Sequence, residues 1–120
     1  MDFNDTPEEA KFRSEVREWL AANARPRDPN NAKAGVSTKS EAERLVRAKE
    51  WQAKKADAGY AAITWPTEYG GLGGTSIQSV IYSQEEANYD VPRGFFEIGL
   101  GMCIPTMMKW ATPEQNERYV

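Results

Sequence analysis

Histidine is missing from all 120 residues, and cysteine occurs once, as Cys103. Without histidine there is no Ser-His-Asp or Cys-His relay and no His-ligated metal. A single thiol allows neither an intrachain disulfide nor a thiolate zinc cluster, and a reducing compartment is the simplest expectation. Neither sign of charge dominates: 15 Lys+Arg against 18 Asp+Glu leave a net charge of −3 and a pI of about 5.1. Bulk electrostatics therefore argue against nucleic acid or an anionic membrane as partner. Long hydrophobic runs are lacking too. The most apolar stretch, Phe95 to Trp110, is too short for a membrane span and contains Glu97, Pro105 and Lys109. The acidic opening Met1-Asp2-Phe3-Asn4-Asp5 resembles neither a secretory signal nor an Arg-rich transit peptide. These exclusions leave a cytoplasmic protein as the expectation.

What is present is the composition of one folded domain, 40% hydrophobic and 28% charged. Residues 1–60 hold 12 basic and 11 acidic groups, against 3 and 7 in residues 61–120. The first half therefore reads as a charged, solvated surface and the second as the apolar part.

Thr6-Pro7-Glu8-Glu9 has the order of a helix start, with Glu9 completing a capping box. Phe12, Val16, Trp19, Leu20 and Asn23 follow at helical spacing until Pro26. Arg25 to Thr38 reads as a mobile loop. Ser40-Glu41-Ala42-Glu43 starts a second helix with Leu45, Ala48, Gln52 and Ala56 as its stripe, bordered by Trp51 and Lys55. Gly59 ends it. Ala61 to Thr64 reads as a short extended segment closed by Pro66. A third helix is expected from Thr75 or Ser76 to about Asp90, with Ile77, Val80, Ile81, Gln84 and Asn88 inward. Phe95 to Trp110 reads as a fourth, nearly all-apolar helix, kinked around Gly99, Gly101 and Pro105. Thr112-Pro113-Glu114-Gln115 repeats the helix-start pattern, and no stop signal follows before Val120. The expected fold is all-α, an up-and-down-like bundle of about five helices, standing at the front of a longer protein.

Three features invite a chemical reading. Tyr69 to Thr75 is glycine-rich, but a G-x-G-x-x-G beginning at Gly71 fails at Ser76, and the Gly-Lys-Thr/Ser end of a P-loop is missing. Its glycines are expected to turn the backbone into the third helix. Glu85 and Glu86 are helix neighbours about 100° apart and cannot share one reacting atom. One is expected to face solvent and the other an adjoining helix. Cys103, with no base or cation beside it in sequence, is expected to be protonated and packed. Phe95 to Met108 is apolar on more than one helical face, so it must be covered on both sides. It is either a buried core helix or the wall of a tunnel for a long apolar ligand, with gaps at Gly99 and Gly101 and adaptable Met102, Met107 and Met108.

Several stretches together resemble one family. Ala58-Gly59-Tyr60-Ala61-Ala62-Ile63-Thr64-Trp65-Pro66-Thr67-Glu68-Tyr69-Gly70-Gly71-Leu72-Gly73 resembles the acyl-CoA dehydrogenase pattern of a helix end, a W-P and an E-Y-G-G turn. Ser83-Gln84-Glu85-Glu86-Ala87 is similar to that family's E-E-x-A helix. Gly99 to Thr106, followed by Thr112-Pro113-Glu114-Gln115, resembles its next helix pair. The likeness runs over essentially the whole chain and is to the N-terminal α-helical domain alone, residues 1–120. It implies that a middle β domain and a C-terminal helical domain lie elsewhere, holding most FAD contacts and the catalytic base.

The implied reaction of the whole enzyme is α,β-dehydrogenation of an acyl-CoA to a trans-2-enoyl-CoA, with hydride passing to flavin N5. Electrons then pass to an electron-transfer flavoprotein, and the parent is expected to be a homo-oligomer. By resemblance Phe96, Gly99, Met102 and Cys103 correspond to the wall of the acyl pocket, and Trp65 to Gly71 to a structural corner. No catalytic, cofactor-binding or metal-binding residue carries over, so this segment alone is expected to be inactive. The alternative is a free-standing helical interaction module without redox activity.

Overall fold

The computed structural model describes residues 3–30 and 40–120. Five α-helices account for most of them: α1 Pro7–Asn23, α2 Glu41–Ala58, α3 Ser76–Glu86, α4 Ile104–Trp110 and α5 Pro113–Tyr119. The fold is all-α, as expected. Four of the helices start on the same device. Thr6, Ser40, Thr75 and Thr112 each accept from the amide three residues on, and Glu9, Glu43, Gln78 and Gln115 each reach back to the cap amide. Such a box satisfies two donors that a helix otherwise leaves orphaned.

The core forms where α1 lies across α3. Phe12, Val16 and Leu20 of α1 meet Ile81 and Tyr82 of α3, with Trp51 of α2 and Ile63 closing the cluster. Tyr60 is its aromatic hub. Its ring lies 5.1 Å from Tyr82 in a stacked pair, and 5.0 Å from Trp19 and 6.2 Å from Phe12 edge-on. Such pairs add about 0.5–1.5 kcal/mol each beyond the area they bury.

Tyr60 reaches this place because α2 ends at the residue before Gly59. Gly59 has φ +84°, and the amides of Gly59 and Tyr60 donate to the carbonyls of Ala56 and Lys55 at 3.0 and 2.8 Å. That is the 5→2 and 6→1 pairing of a Schellman end, and it needs a left-handed residue. A Cβ at Gly59 would also lie 2.6 Å from Leu72 Cδ2.

The strand-like element is not where the sequence suggests it. Ala61 to Thr64 is a run of turns. Its carbonyls are taken by the glycine-rich loop instead, with Leu72 N donating to Ala62 O at 3.4 Å and Gly74 N to Ile63 O at 2.8 Å. Gly71 packs so closely on the Trp65 carbonyl that no Cβ fits. The loop is therefore a folded corner, as expected, braced by the short 3₁₀ turn Thr67–Tyr69. The two-stranded sheet joins β1, Arg25–Pro26, to β2, Tyr89–Asp90, antiparallel with Arg25 opposite Asp90. The start of the expected loop at Arg25 is therefore ordered by pairing, and positions 31–39 of that loop lie outside the described residues.

Two expectations for α3 fail. The helix stops at Glu86 because Tyr89 and Asp90 leave to pair with β1. Its inward face is also rotated: Ile77 and Val80 are half exposed, and Tyr82 and Glu85 are buried. Sequence reasoning leaves open which of Glu85 and Glu86 faces solvent; Glu85 is buried, neutralised by two arginines on α1. In α2, likewise, Trp51 is central and Ala56 exposed.

Candidate functional site

The fourth helical segment runs from Glu97 to Trp110 and contains a π-helical turn at Gly99–Cys103 before α4. Ile104 N donates to Gly99 O, five residues back. The expected kink thus takes the form of a π turn, a feature often found at functional sites. Pro105 follows directly on the π turn as the second residue of α4, so its missing amide falls where the hydrogen-bond ladder already changes register. The Thr106 hydroxyl donates to the Met102 carbonyl at 2.8 Å. Upstream, the Glu97 carboxylate accepts from Gly94 N at 2.7 Å and Phe96 N at 3.1 Å. The Gly94 bond above all holds its pKa below the usual carboxylate range.

The π turn sorts the expected wall residues onto two faces. Phe96 turns inward with Leu100 and Gly101, onto a cleft of about 420 Å³ shared with α2, α3 and the 60–65 turn. Gly99, Met102 and Cys103 stand outward, exposed. The expectation of a packed Cys103 is thus wrong, because the thiol stands on a face left exposed among the described residues. Ile98 and Met102, at 71% and 66% exposed, share that outward side, and Trp110 is 76% exposed at the helix end. The segment is apolar on more than one face yet, among the described residues, half-buried just at Leu100, Ile104, Pro105, Met107 and Met108. Neither glycine has a heavy atom within 4 Å of where its Cβ would stand.

The paired glutamates do different structural work, and neither is a free surface group. Glu85 accepts from Arg13 Nη1 at 2.8 Å and Arg17 Nε at 2.9 Å. The Arg17 bond above all lowers its pKa. Glu86 Oε2 accepts from Tyr82 Oη at 2.7 Å and pairs with Lys55 Nζ at 3.2 Å. Burial, then the Glu86 charge, raises the Tyr82 phenol far above its ordinary value. Sequence reasoning leaves one glutamate in solvent. The lysine in the last turn of α2 is the signal that could have placed Glu86. Lys55, Tyr82, Glu86, Leu100 and Gly101 thus join the cleft that sequence reasoning reached only through Phe96.

Metal ligands do not gather anywhere among the described residues. No helix among them is long and apolar enough to cross a membrane. Nor do the cations of residues 61–120 form a flavin-phosphate cradle. Arg93 leans on Glu86, Lys109 lies over the Trp110 ring and Arg118 over the Tyr119 ring.

An all-helical domain with a W-P/E-Y-G-G corner and an apolar helix wall defines a class, and comparison identifies it. Residues 6–120 match the acyl-CoA dehydrogenase, N-terminal domain, and the chain belongs to that family. It is 32% identical over 110 residues to acyl-CoA dehydrogenase IpdE1 of Mycolicibacterium smegmatis, covering 92% of this chain and 28% of that protein. With acyl-CoA dehydrogenase FadE26 of Mycobacterium tuberculosis it shares 28% over 120 residues, 100% of this chain and 29% of that one. The fold is similar to a chain in the crystal structure of the ChsE4-ChsE5 complex from Mycobacterium tuberculosis. There the TM-score is 0.67 at 28% identity, over 98% of this chain and 27% of that chain. The chain thus spans less than a third of the length of these relatives.

Proposed function

We propose that residues 1–120 are the N-terminal helical domain of an FAD-dependent acyl-CoA dehydrogenase. Its whole protein oxidises acyl-CoA to trans-2-enoyl-CoA and passes electrons to an electron-transfer flavoprotein. The middle β domain, the C-terminal helical domain and the catalytic base belong to the remaining polypeptide. FAD is held chiefly there too, a reading supported by the three cations of residues 61–120 being engaged within this domain, Arg93 by Glu86 and Lys109 and Arg118 by the neighbouring Trp110 and Tyr119 rings. The whole protein works as an oligomer in the cytoplasm, and an assembly of more than one chain is supported by the multi-chain neighbour.

The observation that carries this reading is the outward side of the Glu97–Trp110 helix. It presents Ile98, Gly99, Met102 and Cys103 as a continuous apolar, uncharged strip. In the assembled enzyme this strip is one wall of the acyl chamber. Its role is to exclude water and hold the chain by dispersion, with Gly99 giving width and Met102 adapting to it. Phe96 supports the strip from the cleft side.

The test is a titration of two proteins with FAD and an acyl-CoA. The longer protein is expected to retain flavin absorbance and reduce a dye acceptor, and residues 1–120 alone to do neither. Turnover by residues 1–120 alone contradicts the assignment of FAD and base to other polypeptide. A flavin-bound longer protein inert to every acyl-CoA contradicts the activity.

A further inference from the structure

The cleft behind the Glu97–Trp110 helix has the build of a binding site in its own right. At about 420 Å³ it falls in the ordinary range for small-ligand pockets. Trp51, Tyr60, Trp65, Phe95 and Phe96 contribute its aromatic walls. Two cations, Lys55 and Arg93, and two anions, Glu86 and Glu97, also line it, so the site is electrically balanced. A charged ligand would meet a like charge whichever sign it carried.

The polar anchor is asymmetric. Both short contacts of Glu86 fall on one oxygen, Oε2: Tyr82 Oη at 2.7 Å and Lys55 Nζ at 3.2 Å. The other oxygen, Oε1, lies 4.0 Å from Arg93 Nη2, too far for a hydrogen bond. Glu86 lines the cleft and its side chain is only 13% exposed. A half-buried carboxylate oxygen with spare capacity selects a donor.

We propose that this cleft binds a neutral, flat ring compound with a hydroxyl on its edge, a phenol-type ligand. The ring lies among the aromatic walls and its hydroxyl donates to Glu86 Oε1. This site lies on the opposite side of the helix from the Ile98–Met102 strip and does not rest on the acyl-CoA reading.

The experiment is calorimetric titration of the full chain with 2-naphthol and with 2-methoxynaphthalene, which cannot donate. Saturable 2-naphthol binding is expected, with the methoxy compound about fivefold weaker for want of one hydrogen bond. Ser83→Trp on α3 and Gln52→Trp on α2 fill the cleft from opposite walls and are expected to abolish the binding. Each is first checked for a native far-UV circular dichroism melt, and one folded variant suffices. Ile98→Glu on the outer side is expected to leave it unchanged. Absence of saturation, equal affinity for the two compounds, or retention in a folded filled variant would overturn the proposal. So would loss of binding in Ile98→Glu, which would place the probe on the outer strip.

Discussion

Arg17 Nε donates to Glu85 Oε2 at 2.9 Å, joining an arginine side chain 63% exposed to a carboxylate only 8% exposed. Arg13 takes the other oxygen and also bonds Asp5 at 2.6 Å, so one buried acid fastens α1 to α3 and to the segment before α1. Because Glu85 is held below its usual value of 4.5, its contribution is full above that pH. The contribution is lost as pH falls through the lower folded value. Glu85→Gln is expected to cost about 2 kcal/mol at pH 7, the worth of a charged hydrogen-bond pair. The gap between wild type and variant in urea melts should close as the pH is taken below 4.5. A gap independent of pH would contradict the ion-pair account.

Glycines divide into those that the fold requires and those it does not. Gly59→Ala meets both a left-handed φ and Leu72, and is expected to destabilise by about 1–2 kcal/mol. Gly71→Ala drives a methyl into the Trp65 carbonyl and should cost about 3 kcal/mol. Gly101→Ala finds open space within a helical turn and should stabilise by about 0.5–1 kcal/mol. Thermal melts of the three variants check the order.

The outward strip predicts a surface property. Ile98, Met102 and Trp110 are each more than half exposed, enough to attract a hydrophobic dye or a second copy. The chain alone is expected to enhance anilinonaphthalene sulfonate fluorescence and to self-associate in sedimentation. The double variant Ile98→Glu/Met102→Glu should lose most of both signals. A monodisperse chain with no dye signal contradicts the exposed strip.

Much of this fold is legible in the sequence because its boundaries are local. Thr6 with Glu9, Ser40 with Glu43, Thr112 with Gln115 and Gly59 each declare a helix end within one turn. What fails to show is long-range. The pairing of Arg25 with Asp90 shortens α3, and the two arginines of α1 make Glu85 an inward residue. Ala61 to Thr64 read as extended because its hydrogen-bond partners come from the loop ten residues on. At the site, residue type announces an apolar wall, but the π turn that parts Phe96 from Gly99, Met102 and Cys103 depends on how Pro105 and two glycines are accommodated together. No spacing rule reports that.

The central claim is that the outer side of the Glu97–Trp110 helix walls an acyl chamber, and steady-state kinetics of the longer protein with Met102→Trp tests it most directly. The account predicts that kcat/KM for long or bulky acyl-CoA substrates falls about tenfold or more, while short-chain substrates change little. Equal kinetics for wild type and Met102→Trp across all chain lengths would contradict it.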